Sequence, residues 1–198
     1  MSNRFVRPLI LFAAFAGSLV VGLTVVLWLL GGLAGTRTSA SIGGGPFKLT
    51  DQTGQTVTEK NMVGRPTIIF FGYTHCPDVC PTSLFEMSEV LRAMGTDADR
   101  INAYFVTVDP ERDTQETMER YLSSFDPHLK GLTGDPAAVG KALSAFRVYA
   151  KKVSLKDGGY SMDHTALIYL MDRDGRFVSP FDLKRSPEAA AADLKRYL

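Results

Sequence analysis

Short apolar runs alternate with apolar stripes of helical spacing along most of the chain. Residues 67–71 and 101–108 are runs rich in β-branched and aromatic side chains, which is typical of buried strands. In other segments the apolar residues recur every three or four positions, which predicts helices that pack one face on a core. The alternation predicts a layered α/β domain with a mixed central sheet and flanking helices. The predicted helical stripes are Leu84, Met87, Val90, Leu91 and Met94; Met118, Tyr121, Leu122 and Phe125; and Val139, Leu143 and Phe146.

Turn residues and helix-start signals complete this prediction. Residues 47–50 and 56–58 flank a turn at Gly54 and predict a β-hairpin, and residues 165–171 and 176–178 predict a second one. Asp135-Pro136 and Ser186-Pro187 each place a capping residue before a proline, so we expect helices to begin there. Residues 151–159 are charged and contain glycine, which predicts a protruding hairpin or loop.

The first residues of the chain have a different pattern. Residues 8–35 contain no charged side chain and exceed the roughly 20 residues that a helix needs to cross a bilayer. We therefore expect a transmembrane anchor over residues 8–35, with a cleaved signal peptide as the alternative. Arg4 and Arg7 precede it, which favours a cytoplasmic segment over residues 1–7.

The globular domain would then lie outside the cytoplasm. Residues 36–45 are small and polar and predict a flexible linker, and residues 46–198 form the predicted domain. The expected location is a bacterial inner membrane with the domain in the periplasm, or a mitochondrial inner membrane with the domain in the intermembrane space. With 22 basic and 21 acidic residues the net charge is +1, so charge gives no support for a nucleic-acid partner.

Both cysteines lie in one turn, directly after the apolar run at residues 67–71. Pro81 suits the first position of a helix, so we expect Cys80 at or beside the N-cap of a helix over residues 82–94. The helix dipole would favour a thiolate there, and a thiolate is both a nucleophile and a soft metal ligand. A structural disulfide is the alternative, but so short a loop gives only about 2 kcal/mol of stabilisation. Redox or metal chemistry at Cys76 and Cys80 is therefore the better interpretation.

The other candidate residues have ordinary explanations when taken alone. His164 stands at the entry to the predicted strand over residues 165–171, where a histidine is more often structural than ligating. His128 is interpreted as a surface residue without a partner. Asp113 and Glu116 have the spacing of a capping box, with a paired-carboxylate acid/base site as the alternative.

Three motifs together resemble the Sco/SenC family of membrane-anchored copper proteins. They are Gly-Tyr-Thr-His-Cys-Pro-Asp-Val-Cys-Pro at residues 72–81, Val-Asp-Pro-Glu-Arg-Asp-Thr at residues 108–114 and Asp-His-Thr at residues 163–165. The resemblance covers nearly the whole domain, from about Phe47 to the C-terminus. It implies a thioredoxin-like fold, with Cys76, Cys80 and His164 as the ligands of one copper ion.

The resemblance also implies a role and partners. The role is assembly of the dinuclear copper centre of cytochrome c oxidase subunit II, and a periplasmic copper chaperone is a candidate donor. Two thiolates and one imidazole suit both Cu(I) and Cu(II), whereas zinc is the competing ion. A thiol-disulfide oxidoreductase, in which Cys76 and Cys80 reduce the cysteines of the oxidase subunit, is the alternative function.

Neighbouring residues are assigned minor or structural roles. Met162 is a weak axial ligand or, more simply, a packing residue, and Asp163 is a candidate to orient the imidazole. Asp78 either tunes the cysteines, meets a partner or caps the turn, and His75 is expected to bond locally in the turn. A peroxidase is a third hypothesis, and the sequence argues against it, because Ile69 and Tyr73 stand where the peroxiredoxin pattern has proline and threonine.

Overall fold

A computed structural model of the chain describes residues 17–26, 28, 42–43, 45–156 and 158–198. The chain divides into two units, Met1–Ser39 and Ala40–Leu198. In the first unit the described residues 17–26 and 28 are helical. Within the described part of the chain no helix has both the length and the apolar character needed to cross a membrane. Most of the predicted anchor and linker, residues 8–16, 27, 29–41 and 44, falls outside the described residues.

The second unit alternates strands and helices after an initial hairpin, as predicted. Its strands are β1 Lys48–Asp51, β2 Thr56–Thr58, β3 Thr67–Gly72, β4 Asn102–Thr107, β5 Leu129–Thr133, β6 Ala150–Ser154, β7 Tyr160–His164, β8 Ile168–Met171 and β9 Phe177–Pro180. Its α-helices are α1 Val79–Met94, α2 Gln115–Leu122, α3 Pro136–Ala145 and α4 Pro187–Lys195. Short 3-10 helices cover Glu59–Met62 and Gly95–Arg100.

Seven of these strands form one mixed sheet in the order β2-β1-β5-β4-β3-β8-β9. Strands β3, β4 and β5 are parallel, whereas β1 and β8 pair antiparallel with β5 and β3. The predicted mixed central sheet is confirmed, and the arrangement is thioredoxin-like. Strands β6 and β7 pair only with each other, as a separate hairpin.

The core centres on β3, in which every residue is buried. A strand with parallel and antiparallel neighbours and both faces covered must be apolar throughout, which explains the run of isoleucine and phenylalanine. Phe70, Phe71 and Phe105 are fully buried at the centre. The predicted stripe of α1, from Leu84 to Met94, is buried against this sheet.

Three elements differ from the sequence predictions. The strand predicted over residues 165–171 begins only at Ile168, and His164 is the last residue of β7 rather than the entry to that strand. Strand β5 was not predicted, because Lys130 and Gly131 interrupt its apolar pattern. Gly131 is required there, since a Cβ atom would lie 2.6 Å from Leu122 Cδ1.

Candidate copper and thiol site

The cysteine turn connects the end of β3 to the start of α1. The backbone N–H of Cys76 donates to the Tyr73 carbonyl at 3.3 Å, which closes the turn. Cys80 is the second residue of α1, and its N–H donates to the Cys76 sulfur at 3.4 Å. Both cysteines are free thiols, and Cys76 is 9% exposed whereas Cys80 is 0% exposed. Both residues are buried, and Cys76 is the less buried of the two.

The depth of Cys80 overturns one expectation from the sequence. We expected the helix start to favour its thiolate, but burial raises the pKa of the Cys80 thiol well above its ordinary value. Burial outweighs the helix dipole because a buried thiolate loses its hydration. The sulfur also packs on β3, where a Cβ at Gly72 would approach Cys80 Sγ to 2.7 Å. An unliganded Cys80 is thus a neutral thiol held in the core.

His164 reaches this turn from a distant part of the sequence. Its Nε2 atom lies 3.9 Å from Cys80 Sγ. Its Nδ1 atom lies 3.1 Å from the Thr165 carbonyl, and Nδ1–H must be the donor because a carbonyl only accepts. In the neutral ring the lone pair then resides on Nε2, on the side that faces the cysteine.

The Cys80 and His164 side chains fit a shared metal ion. Zinc lies about 2.3 Å from sulfur and about 2.0 Å from nitrogen, so one ion of that size can join atoms up to about 4.3 Å apart. The 3.9 Å separation of Cys80 Sγ and His164 Nε2 is within that range. Among the described residues, no three histidine, cysteine or acidic side chains are already gathered as a complete ligand set. A third ligand would therefore have to move closer, and Cys76, whose sulfur lies 3.4 Å from the Cys80 backbone nitrogen, is a soft donor in the same turn.

The structure gives a defined place to three residues with minor predicted roles, Met162, Asp163 and His75. Met162 is half-buried and packs against the core on the same hairpin face as His164. Asp163 is exposed, and the Thr165 carbonyl rather than Asp163 orients the imidazole. His75 is exposed and bonds locally to the Thr74 hydroxyl at 3.0 Å, as expected.

Asp78 and His128 also have defined places. Asp78 is exposed and occupies the N-cap position of α1 without a side-chain capping bond. The prediction that His128 lacks a partner is wrong, since its Nδ1 atom lies 2.7 Å from Asp126 and its Nε2 atom 3.2 Å from Asp99. The Asp126 hydrogen bond raises the pKa of His128.

Asp113 has a role that sequence reasoning missed. It is fully buried and accepts from the Thr74 N–H at 3.1 Å and the Thr74 hydroxyl at 2.6 Å. The Thr107 hydroxyl donates to it at 2.7 Å, and burial raises its pKa. The predicted capping box is wrong, because Thr114 caps α2 and accepts from the Thr117 N–H. The available signal was topological: β3 and β4 are parallel, so the loops after them meet at one edge of the sheet.

The same loop after β4 also contacts the hairpin that carries His164. Arg112 pairs with the buried Asp109 and donates through Nη1 to the Tyr160 carbonyl at 3.1 Å. Its guanidinium lies 3.7 Å from the centre of the Tyr160 ring and 5.7 Å from that of Tyr73. The Tyr73 ring in turn meets His164 edge to face at 5.8 Å. One loop therefore contacts both halves of the candidate site.

Comparisons with known proteins agree with this fold. Residues 35–198 match the SCO1/SenC family. The copper-bound structure of Bradyrhizobium japonicum ScoI is 75% identical and has a TM-score of 0.78 over 80% of this chain and 100% of that chain. Copper-bound yeast Sco1 is 35% identical, with a TM-score of 0.71 over 79% of this chain and 88% of that chain.

The curated relatives are longer proteins. The human mitochondrial SCO1 homolog is 41% identical over 153 residues, which cover 75% of this chain and 51% of the human protein. The SCO2 homolog of Danio rerio is 37% identical over 161 residues, or 58% of its length. The chain thus spans about half the length of these relatives. The match over residues 35–198 nonetheless includes both cysteines, the loop after β4 and His164, and this chain belongs to the SCO1/SenC family.

Proposed function

We propose that this protein binds one copper ion through Cys76, Cys80 and His164 and delivers it to the dinuclear copper site of cytochrome c oxidase subunit II. The observation that carries the proposal is the 3.9 Å approach of His164 Nε2 to Cys80 Sγ. These residues are 84 positions apart, and the Nε2 atom of the ring faces the sulfur while Nδ1 bonds to the Thr165 carbonyl. Neither feature is needed for a structural histidine.

The donor set suits copper, and the copper-bound relatives favour copper over zinc. Thiolates are soft ligands that select Cu(I), and an imidazole supports Cu(II), so the same three side chains suit both oxidation states. Structures of Bradyrhizobium japonicum ScoI and yeast Sco1 contain copper, which supports the same cargo here. Metal binding requires both thiols to lose their protons, so the ion must replace the protons that the buried thiol otherwise retains.

Copper titration of the full-length protein in detergent, under reducing conditions, tests this proposal. Wild type is expected to bind one Cu(I), and His164→Ala to bind with an affinity lower by about 10- to 100-fold, while a thiol assay of the unfolded variant still counts both cysteines. His128→Ala is the matched control, because His128 is the histidine of the remote loop between α2 and β5. Equal affinity of wild type and His164→Ala would remove His164 from the site.

A second function, thiol-disulfide exchange with the oxidase subunit, is favoured by the unequal depth of the two cysteines. Cys76 is the less buried of the two, and its sulfur accepts the Cys80 N–H at 3.4 Å. The Cys76 thiolate would attack a partner disulfide, form a mixed disulfide and release one partner thiolate. The Cys80 thiol would then lose its proton and attack Cys76 Sγ, releasing the second partner thiolate and leaving a Cys76–Cys80 disulfide.

This exchange has a different mutational signature from copper binding. Cys76→Ser should abolish attack on a partner disulfide, Cys80→Ser should trap the mixed disulfide, and His164→Ala should leave the rate nearly unchanged. Mass spectrometry of the protein mixed with an oxidised peptide of the subunit measures each species. Absence of a trapped species in Cys80→Ser would argue against the exchange.

Membrane attachment is part of the same proposal. The uncharged residues 8–35 support a retained anchor, with the domain on the periplasmic side or, in a mitochondrion, in the intermembrane space. A domain tethered there would meet the copper site of an oxidase subunit at the same membrane. Alkaline carbonate extraction of membranes tests it: retention of the full-length chain supports an anchor, and release would contradict it.

A further inference from the structure

The hairpin of β6 and β7 carries His164 but lies outside the seven-stranded sheet. Its strands pair Ala150 with His164 and Ser154 with Tyr160, and neither strand pairs with the larger sheet. Backbone hydrogen bonds to that sheet therefore do not fix the position of this hairpin. Side-chain contacts must do so, and these determine where His164 stands relative to the cysteines.

Arg112 makes two of these contacts, and Tyr73 makes others with the Met162 backbone and the His164 ring. The Arg112 Nη1–H donates to the Tyr160 carbonyl at 3.1 Å, and the Arg112 guanidinium stacks on the Tyr160 ring at 3.7 Å. The planar fork of arginine can stack and donate at the same time, which lysine cannot reproduce. Tyr160, Met162 and His164 lie on one face of the hairpin, because side chains alternate along a strand. Holding Tyr160 therefore also holds the face that presents His164.

Two further contacts come from the same short loop. The Tyr160 hydroxyl donates to Asp109 Oδ1 at 3.0 Å, and Asp109 is itself buried and paired with Arg112. On the solvent side, Lys152 Nζ donates to Glu111 Oε2 at 2.5 Å. The hairpin is thus fastened at Tyr160 and Lys152 to the segment from Asp109 to Arg112.

The next residue of this loop fastens the cysteine turn. Asp113 accepts from the N–H and the hydroxyl of Thr74, two residues before Cys76. The loop itself is anchored to β4, since the Thr107 hydroxyl donates to Asp113 and accepts from the Asp109 N–H at 2.8 Å. The five residues from Asp109 to Asp113 therefore hold the histidine hairpin on one side and the cysteine turn on the other.

We propose that Arg112 is a positioning residue, which sets the separation of His164 from Cys80 by stacking on Tyr160. It does not touch the candidate ligands and acts through the hairpin. This inference rests on the proposed copper function for its effect on binding, but its structural part is independent of copper. Replacing Arg112 should loosen the hairpin first and weaken the histidine ligand as a result.

Amide hydrogen exchange of the copper-free, full-length protein in detergent tests the structural part. Arg112→Lys keeps a cation beside Asp109 but loses the stacking and the fork. We expect exchange in β6 and β7 to rise by about tenfold, while β3 and α1 are unchanged. Arg92→Lys is the matched control, because Arg92 lies on α1 and its guanidinium pairs with the half-buried Glu89 of the same helix. Unchanged exchange in β6 and β7 would overturn the proposal.

A double-mutant cycle with His164→Ala tests the functional part. Arg112→Lys should lower Cu(I) affinity by about 10-fold in the wild-type background and leave it unchanged in the His164→Ala background. Equal losses in both backgrounds would overturn the proposal, because Arg112 would then act on the cysteines or on the whole fold. If wild type binds no copper, the proposed function fails, and hydrogen exchange alone decides the role of Arg112.

Tyr160→Phe provides a milder variant in case Arg112→Lys does not fold. It keeps the ring under the guanidinium and removes only the bond to Asp109. The expected rise in β6 and β7 exchange is smaller than for Arg112→Lys but in the same strands. A rise spread evenly over the domain would contradict the proposal, because it would indicate global destabilisation.

Discussion

The cysteine turn and the histidine hairpin are held in place in different ways. The turn is continuous with β3, in which every residue is buried, and with the core-facing helix α1, and Cys80 packs directly on Gly72. The hairpin is joined to the domain by Arg112, Tyr160 and Lys152 side chains. Segments with few buried contacts open at lower free-energy cost than the core does. Both cysteines are therefore fixed with the fold, whereas His164 is carried by an element that can respond separately.

This difference predicts unequal losses of copper affinity. Cys80→Ser should lower Cu(I) affinity more than about 100-fold, which exceeds the loss expected for His164→Ala, because a thiolate is the softer ligand. Competition with a Cu(I) chelator measures both affinities, and thermal unfolding shows whether each variant folds. Equal losses would mean that the hairpin contributes as much to the site as the core.

Asp113→Ala should produce the largest loss of stability among variants of the cysteine turn. It leaves the part-buried Thr74 N–H and the buried Thr107 hydroxyl without their acceptor, at about 1–3 kcal/mol for each group, or about 2–6 kcal/mol in total. Urea unfolding measures the change. Asp113→Asn is the matched control, since its amide oxygen can still accept from Thr74, and it should retain most of the stability. A loss as large for asparagine as for alanine would show that the charge, not the hydrogen bonds, matters.

Gly72→Ala should be somewhat milder and tests how tightly Cys80 is packed. The added Cβ would lie 2.7 Å from Cys80 Sγ and 2.8 Å from Phe105 Cε2, so it should cost about 1–3 kcal/mol. Gly140→Ala is the matched control, because no atom lies within 4 Å of its added Cβ and alanine is the better helix former. Urea unfolding should therefore show a loss for the first variant and a small gain for the second. An unchanged free energy of unfolding for Gly72→Ala would mean that Cys80 is packed less tightly than these distances indicate.

The smallest expected effect is the pH dependence of stability at His128, which lies outside both the cysteine turn and the histidine hairpin. The pKa of His128 is raised from 6.5 by its bond to Asp126. The stability contributed by this group is therefore full below the unfolded pKa and is lost as pH rises through the folded value. Urea unfolding of wild type and His128→Gln should differ most at low pH and converge above neutrality. A difference that grows as pH rises would reverse this assignment.

The sequence predicted the elements whose signals are local. The apolar run of β3, the stripe of α1 and the helix starts at Asp135 and Ser186 all follow from neighbouring residues, and the structure contains them. Cys76, Cys80 and His164 were selected through motifs, and the structure brings His164 to Cys80.

The features that the sequence did not predict depend on long-range pairing. Strand β5 forms because it fits between β1 and β4, and Asp113 is buried because two parallel strands end side by side. The depth of Cys80 likewise depends on Phe105 and Gly72 rather than on its place in α1. Local propensity contains no information on which segments become neighbours.

The unequal depth of the two sulfurs has a consequence for damage by oxidants. A peroxide must approach a thiol directly to convert it to a sulfenic acid, and Cys76 is the less buried of the two residues. The sulfenic acid formed there would have Cys80 beside it to condense with, giving a disulfide that a reductant can reverse. The fold thus shields Cys80 from irreversible oxidation to sulfinic or sulfonic acid, and Cys76 is the first of the two to be oxidised.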